Sequence, residues 1–339
     1  MPSRHKIRIA LLGFGNVARA FVRYVAATKE QNAFQIDISA IADSSGGLFL
    51  TDQSMLARTL AHKSSGHLLS EFSPNQVISD THQFVRMLQA NDISLLVECM
   101  PTNIESGEPA LDLIAAALAR GTNVVTVNKG PVVHGFAALK SAAREGGAKF
   151  LFSGTTGVSI PEEIEHESVL EIRGVLNGTT NYILTEMQQH SRSFSEALDE
   201  AKAQGIAEPD PTLDLEGWDT ASKTLILAKA LMGASCRLSE VPRIGIGPET
   251  ESLIRVAQKT NRIVRLVGRA RIWQGRVRVS VAPKIVSGDS PFYSIEGSSK
   301  AAVFRTKTRG EVFKTSISGR DAISQTIIDD IERVVRYES

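Results

Sequence analysis

The residues best suited to chemistry in this 339-residue chain lie in the segment GIAEPDPTLDLEGWDTASK, which runs from Gly205 to Lys223. Pro209 and Pro211 fix φ and remove two backbone donors, so they exclude a helix around them. Apolar residues then recur at spacings of three and four, which predicts an amphipathic helix over 217–232. Five carboxylates precede the final lysine of the segment: Glu208, Asp210, Asp214, Glu216 and Asp219.

The last carboxylate and the lysine of this segment, Asp219 and Lys223, are four residues apart. The predicted helix therefore places both on one face. A lysine held beside a carboxylate can donate or accept a proton during a reaction. The simpler interpretation is an exposed loop followed by a surface ion pair, which is worth roughly 0.3–0.5 kcal/mol. The spacing alone favours the simpler interpretation, so the choice depends on the rest of the chain.

Residues 6–150 alternate between strand and helix patterns, which predicts right-handed βαβ units and a parallel sheet. The predicted strands are Lys6–Leu12, Ile36–Ala42, Ser94–Cys99 and Asn123–Val127. Three helices are predicted: one that follows the first strand and ends near Ala27, one at Glu108–Arg120 and one at Val133–Glu145. Residues 52–90 also favour helix, but with a less regular pattern.

The pattern changes after residue 150 to that of an α+β domain. Strands are predicted at 149–152 and 169–175, and helices at 179–189, 194–204, 249–261 and 322–337. Two hairpins are predicted, one from 263–273 and 277–282, the other from 301–307 and 311–316. We therefore predict two domains with bounds at 1–150 and 151–319, and a C-terminal helix at about 320–339 that packs back onto the first domain.

The first predicted strand ends in Gly13-Phe14-Gly15-Asn16-Val17-Ala18, which fits the dinucleotide pattern G-x-G-x-x-G/A. Gly13 permits the tight turn, Gly15 lets the backbone approach a pyrophosphate, and Ala18 lets helix and strand pack closely. The helix N-terminus favours an anion through its free amides and its dipole. A glycine turn that packs without a ligand is the alternative, but the placement after a strand and before a helix predicts a Rossmann-type nucleotide domain.

Asp43 closes the second predicted strand, where a carboxylate can accept hydrogen bonds from both ribose hydroxyls of the adenosine. This position favours NAD over NADP, since a 2′-phosphate would lie close to the carboxylate. The alternative is that Asp43 caps the turn Ser44-Ser45-Gly46-Gly47. Cations that could still reach a 2′-phosphate are Arg19, Arg58 and Lys63.

The composition excludes several classes of protein. The net charge is +1 and no basic tract is present, which argues against a nucleic-acid partner. No segment approaches the roughly 18 apolar residues of a membrane span. The two cysteines, Cys99 and Cys236, have no metal-type spacing, and the seven histidines show none either. We expect a cytoplasmic protein of ordinary globular composition.

The segment Arg173–Met187, reading RGVLNGTTNYILTEM, together with Gly205–Lys223 resembles the homoserine dehydrogenase family. The resemblance covers most of the chain and is strongest from 173 to 232. It implies NAD(P)-dependent interconversion of L-homoserine and L-aspartate 4-semialdehyde, in the route to threonine, methionine and isoleucine. It also implies the short form without an aspartokinase or ACT domain, and a homodimer through a second domain that binds substrate and carries the catalytic residues.

The resemblance implies a role for each matching residue. Lys223 matches the proton donor and acceptor, Asp219 its helical neighbour, and Glu208 the ligand of the homoserine ammonium. Asp214 matches a further acid of the substrate pocket, and Lys129 a lysine near both cofactor and substrate, although Lys129 could also be a structural lysine at a strand end. The loop that cradles the substrate is matched by Gly178, Thr179, Thr180 and Asn181, and further cofactor contacts by Thr102, Gly205 and Gly319.

Two segments depart from the family pattern. Ser153 stands where many members have the glutamate of an alkali-metal site, so we expect no metal there. The glycine-rich motif near the C-terminus is reduced to Gly319-Arg320-Asp321-Ala322. These departures leave open a relative acting on another small amino or hydroxy acid. A different class of protein, a catalytically silent NAD(P)H sensor, is a second alternative. A sensor has no need of the Asp219–Lys223 pair, which argues for the enzyme.

Overall fold

The computed structural model describes residues 6–30, 34–164, 166–317 and 319–336. The chain divides into two compact units. Unit 1 comprises Met1–Thr155 and Gly319–Ser339, and unit 2 comprises Thr156–Ser318. The predicted end of the last helix, at Tyr337, lies outside the described residues.

Unit 1 contains a six-stranded sheet in the order β3-β2-β1-β4-β5-β6. The parallel pairs are β1 with β2, β1 with β4, β4 with β5, and β5 with β6, whereas β3 runs antiparallel to β2. This sheet confirms the predicted α/β class. Its strands are β1 (Lys6–Leu12), β2 (Gln35–Asp43), β3 (Gly46–Phe49), β4 (Leu95–Glu98), β5 (Asn123–Thr126) and β6 (Phe150–Leu151).

Seven α-helices lie in the described part of unit 1 and accompany this sheet. Three begin at side-chain caps: Asp52 accepts from the Met55 amide, Asp80 from the His82 amide and Asn128 from the Gly130 amide. The helices are α1 (Asn16–Thr28), α2 (Gln53–Ser64), α3 (Leu69–Phe72), α4 (Thr81–Arg86), α5 (Ala110–Leu118), α6 (Lys129–Gly146) and α12 (Arg320–Arg336). Apolar residues of α12, including Ile327 and Ile331, lie in the same core as Ile9 and Leu11 of β1.

Unit 2 contains a five-stranded antiparallel sheet in the order β11-β10-β7-β8-β9. Its strands are β7 (Val169–Val175), β8 (Ile263–Trp273), β9 (Arg276–Val286), β10 (Lys300–Thr306) and β11 (Glu311–Ser316). Its helices are α7 (Gly178–Gln189), α8 (Phe194–Ala203), α9 (Thr212–Leu215), α10 (Trp218–Met232) and α11 (Thr250–Gln258). Helix α10 packs on β7, β8 and β9. Gly268 of β8 permits this, since a Cβ there would lie 2.0 Å from the Thr224 hydroxyl of α10.

Four elements were not predicted or differ from the sequence prediction by four residues. Helix α9 forms directly after Pro211, where the prolines were expected to exclude a helix, because Pro211 stands at the N-cap and the donor that it lacks has no helical partner there. Helix α6 begins four residues earlier than predicted, and Pro131 in its first turn is tolerated because the amide it lacks has no helical partner there. Strand β9 continues past Pro283 because it is an edge strand, where a missing donor costs little. Strand β3 was not predicted, since Gly46 and Gly47 suggested only a turn.

Candidate active site

The turn after β1 is built around Gly13. Its φ is +93°, and a Cβ at this position would lie 2.5 Å from the Met100 amide nitrogen and 2.6 Å from the Cys99 carbonyl carbon. The Gly13 amide also donates to the Ala42 carbonyl oxygen at 2.8 Å. A side chain is therefore excluded where the chain passes between the ends of β2 and β4, as the dinucleotide pattern requires.

The next glycine, Gly15, leaves an open space at the N-terminus of α1. No described atom lies within 4 Å of a Cβ built at Gly15, and glycine offers no side chain to cap the helix. The first amides of α1, at Asn16, Val17 and Ala18, are thus available to an anion. Phe14 and Ala18 are buried in the core with the sheet residues, so these side chains hold the loop in place while its backbone amides stay accessible to a ligand. These residues fit a pyrophosphate.

Asp43 lies at the end of β2, and its carboxylate makes three contacts with two residues, Ser45 and Lys63. Its Oδ1 accepts from the Ser45 amide at 2.8 Å and from the Ser45 hydroxyl at 2.6 Å, and its Oδ2 lies 2.6 Å from Lys63 Nζ. Burial tends to raise the pKa of the Asp43 carboxyl, but the bonds from Lys63 and Ser45 outweigh it and hold that pKa below its usual value. Arg19 donates to the Lys63 carbonyl oxygen at 2.8 Å. One cation, Lys63, therefore pairs with the carboxylate that we expected to contact the ribose, and a second, Arg19, bonds to the backbone of that lysine.

Glu98 is a buried carboxyl at the end of β4 that sequence reasoning missed. Its Oε2 accepts from the Thr126 hydroxyl at 2.5 Å, and its Oε1 accepts from the Met100 amide at 2.7 Å and from Asn128 Nδ2 at 3.2 Å. Burial raises the pKa of this carboxyl to about 7. Through Asn128, which caps α6, Glu98 fixes the start of the helix whose first residue is the partly buried Lys129.

Ser153, the departure from the family pattern, bonds to α12 within unit 1. Its amide donates to Asp330 Oδ2 at 3.0 Å and its hydroxyl to Asp330 Oδ1 at 2.6 Å. Burial raises the pKa of the Asp330 carboxyl to about 6. Thr102 lies exposed in the loop after β4, and Gly319 lies exposed just before α12. The cofactor contacts expected of both remain predictions.

The acid and lysine of the predicted helix meet in unit 2. Lys223 Nζ lies 2.6 Å from Asp219 Oδ2 and donates to the Leu176 carbonyl oxygen at 2.9 Å. Both side chains of the pair are mostly buried, at 13% and 12% exposed. This burial, together with the backbone partner, distinguishes the pair from the surface ion pair that was the simpler interpretation of the spacing.

Asn177 connects this pair to a further acid. Its Nδ2 donates to Asp219 Oδ2 at 2.8 Å and to Asp214 Oδ1 at 2.6 Å. Burial and the nearby Asp219 carboxylate raise the pKa of Asp214 above its usual value. The carbonyl oxygen of the same side chain accepts from the Thr180 amide and so caps α7. One amide side chain therefore sets the positions of two carboxylates and of a helix N-terminus.

The predicted substrate cradle forms the first turn of α7. The Thr179 hydroxyl donates to the Ile206 carbonyl oxygen at 3.1 Å, and the Thr180 hydroxyl donates to the Asn177 carbonyl oxygen at 3.3 Å. The amides of Gly178 and Thr179 open the helix, in positions that lack an acceptor within it. The turn can thus offer backbone donors to an anion.

Glu208 and Gly205 lie in the loop between α8 and α9, and both are exposed. Gly205 has a φ of +67° and supplies the turn that ends α8. Among the described residues, Glu208 makes no hydrogen bond or ion pair to the cluster around Lys223. Asp210 instead stabilises its own turn by accepting from the Thr212 amide and hydroxyl. The ammonium-binding role of Glu208 stays a prediction.

The sequence contained signals for two residues that sequence reasoning missed, Asn177 and Glu98. Asn177 lies two residues before the predicted start of a helix at 179, close to where a capping asparagine is favoured. Glu98 is a carboxylate inside an apolar strand, and a buried charge requires partners. Neither signal indicates which other side chains the residue contacts.

Comparisons with known proteins place this chain in one family. A sequence model described as "Homoserine dehydrogenase" matches residues 159–331, and one described as "Homoserine dehydrogenase, NAD binding domain" matches residues 13–153. Over the described ranges, no helix is long and apolar enough to cross a membrane.

Individual relatives agree with these matches. The chain is 33% identical over 314 residues to the homoserine dehydrogenase of Methanocaldococcus jannaschii, covering 90% of this chain and 91% of that one. It is 31% identical over 336 residues to the NAD(+)-dependent homoserine dehydrogenase of Pseudomonas canavaninivorans, covering 96% and 95%. The crystal structure of the S. aureus homoserine dehydrogenase at pH 8.5 matches with a TM-score of 0.76 at 27% identity, over 98% of this chain and 77% of that one.

Proposed function

Since this chain belongs to the homoserine dehydrogenase family, we propose that it interconverts L-homoserine and L-aspartate 4-semialdehyde with NAD(P), using Lys223 as proton donor and acceptor. The observation that carries the proposal is the partly buried ammonium of Lys223, bonded to Asp219 Oδ2 and to the Leu176 carbonyl oxygen. A lysine has three donors. In the described part of the chain these partners take two of them, which leaves one N–H for the oxygen of a substrate.

The substrate has an ammonium, a carboxylate and a primary alcohol, and unit 2 has groups of matching charge. Asp214 and Glu208 are the acids proposed to bind the ammonium, and the first-turn amides of α7 can donate to the carboxylate. In the reductive direction the Lys223 ammonium donates a proton to the developing alkoxide, and in oxidation the same nitrogen accepts the proton of the alcohol. Asp219 holds that ammonium in one orientation.

Unit 1 is proposed to hold the dinucleotide through the Gly13–Ala18 loop and the first amides of α1, with Asp43 at the adenosine ribose and Lys129, Thr102 and Gly319 as further contacts. Gly205 belongs to unit 2, and its cofactor contact stays a prediction. The bound nicotinamide supplies or accepts the hydride. We propose that NAD is preferred over NADP. The position of Asp43 at the end of β2 supports this preference, although Lys63 forms an ion pair with the Asp43 carboxylate.

The assembly and location follow from the same proposal. The homodimer is proposed to form through unit 2, where the sheet exposes Trp273 and Phe313, at 51% and 42%, on one face. Light scattering at several concentrations tests it.

An amino acid and a dinucleotide are cytoplasmic metabolites, which supports a cytoplasmic place of action.

The function is tested by homoserine-dependent reduction of NAD and of NADP, measured side by side for the wild type and Lys223→Ala. We expect the variant to lose about 10²–10⁴-fold in kcat, the usual contribution of a positioned acid or base, while its dinucleotide affinity stays unchanged. Lys229→Ala, on the same helix, serves as the matched control and should retain wild-type turnover. A Lys223→Ala variant with near-normal kcat would remove Lys223 from the mechanism, and a wild type without homoserine oxidation would refute the function.

A further inference from the structure

A second lysine, Lys300, lies beside Lys223 in unit 2, although the two are far apart in sequence. Both flank Gly157: a Cβ built there would lie 3.4 Å from Lys300 Nζ and 3.7 Å from Lys223 Cε. Since both atoms are this close to one point, they lie within about 7 Å of each other. Lys300 is the first residue of β10 and is partly buried.

Gly157 allows this approach. Its φ is +72°, and an added Cβ would also lie 3.3 Å from Lys300 Cδ, a distance at which the lysine must move away. The segment around it is fixed, because the Gly157 carbonyl oxygen accepts from the Ser316 hydroxyl and the Thr156 hydroxyl donates to the Val158 carbonyl oxygen. The Lys300 stem therefore lies against a glycine in a well-held turn.

The helix that carries the substrate cradle also holds the segment before Lys300. Asn181 of α7 donates its side-chain amide to the carbonyl oxygens of Ile295, Gly297 and Ser299, at 3.2, 3.0 and 3.2 Å. These three acceptors end one residue before Lys300. The first turn of α7 and the start of β10 are thus tied together.

The charges around Lys223 suit a zwitterion. Asn177 donates to both Asp214 and Asp219, and Asp219 also accepts from the Lys223 ammonium. An α-amino acid also carries a carboxylate, which needs a cation or several donors in a partly buried site. The hydroxyls of Thr179 and Thr180 already donate to backbone carbonyls, so they are poor candidates. A second ammonium beside Lys223 has the required charge.

We propose that Lys300 binds the α-carboxylate of the substrate and thereby selects an amino acid over an amino alcohol that lacks this group. This inference rests on the proposed function and adds to it the residue that recognises the carboxylate. The amides at the start of α7 then orient the carboxylate that Lys300 neutralises.

The test compares two substrates and four proteins. Homoserine and 3-aminopropan-1-ol have the same amino and alcohol groups, but only homoserine carries the carboxylate. We expect Lys300→Met to lower kcat/KM for homoserine about 10–100-fold, as befits one charged hydrogen bond, mostly through KM. The value for 3-aminopropan-1-ol should stay unchanged. Lys300→Arg should restore most of the homoserine value, and Lys307→Met, at an exposed lysine beyond the same strand, should match the wild type.

Two results would overturn the inference. An equal loss for both substrates would show that Lys300 acts on the fold or on Lys223, and an unchanged KM for homoserine in Lys300→Met would show that it binds no carboxylate. If Lys300→Met lacks the wild-type circular dichroism spectrum, Lys300→Gln is judged by the same two criteria. Homoserine oxidation by the wild type is measured first, because its absence would refute the proposed function together with this inference, whereas a failure confined to the Lys300 variants refutes the inference alone.

Discussion

Replacing Glu98 by glutamine is expected to change the pH dependence of stability. Glu98 is fully buried at the end of β4, and burial raises the pKa of its carboxyl from 4.5 to about 7 despite donors from Thr126, Asn128 and Met100. In the folded state the carboxyl therefore holds its proton more tightly than in the unfolded chain. Its contribution to stability is full below pH 4.5 and is lost as the pH rises through 7.

The magnitude follows from these two values. At about 1.36 kcal/mol per unit of pKa, the total is about 3 kcal/mol, of which about 2.5 kcal/mol falls between pH 5 and pH 8. Glutamine has the same shape and does not titrate. Its amide can donate to the Thr126 oxygen, while its carbonyl oxygen accepts from Met100 and Asn128. The unfolding free energy of Glu98→Gln minus that of the wild type should thus rise by about 2.5 kcal/mol from pH 5 to pH 8.

Urea unfolding followed by circular dichroism at both pH values measures this difference. Glu105→Gln, at an exposed loop position, controls for the loss of one carboxyl and should show no such rise. Infrared titration of the wild type should also show a protonated carboxyl band that disappears near pH 7 and is absent in Glu98→Gln. A stability difference that is equal at the two pH values, or that falls as the pH rises, would refute the reasoning.

Two further predictions concern binding. Glu208→Gln should raise KM for homoserine more than it lowers kcat, because an ammonium ligand binds substrate and transition state alike; a large loss of kcat at unchanged KM would instead place Glu208 at the reacting carbon. Asp43→Ser should shift kcat/KM towards NADP, because it removes the repulsive carboxylate and frees the Lys63 ammonium for a 2′-phosphate. Adding Lys63→Met should reverse part of that shift, and a preference that neither change moves would show that Asp43 points away from the ribose.

The fold was predictable where one local pattern decided the outcome. The alternation of apolar strands with helices gave the parallel sheet, and the run Val169–Val175 was predicted with the bounds that the structure shows. The prediction was wrong for strands whose position in the sheet, rather than their own residues, decides whether they form. Pro283 is tolerated because β9 is an edge strand, and a strand pair can form across Gly46 because β2 already provides the partner.

The site was predictable to the extent that it is local in sequence. Asp219 and Lys223 lie one helical turn apart, so their contact follows from the helix itself. The contact of Asn177 with Asp219 spans 42 positions, and no spacing rule reaches that far. Lys300 was missed for the same reason, since its neighbourhood depends on how β10 pairs with β7.

The two units use the same residue type for the same combination of tasks. Asn128 caps α6 through its oxygen and donates its NH₂ to Glu98, and Asn177 caps α7 through its oxygen and donates its NH₂ to Asp214 and Asp219. Aspartate or serine can cap a helix as well as asparagine can. Aspartate has no proton to donate, and a serine hydroxyl has only one. A helix that must begin beside buried carboxylates therefore favours asparagine, because this one side chain both caps the helix N-terminus and holds the acids in place.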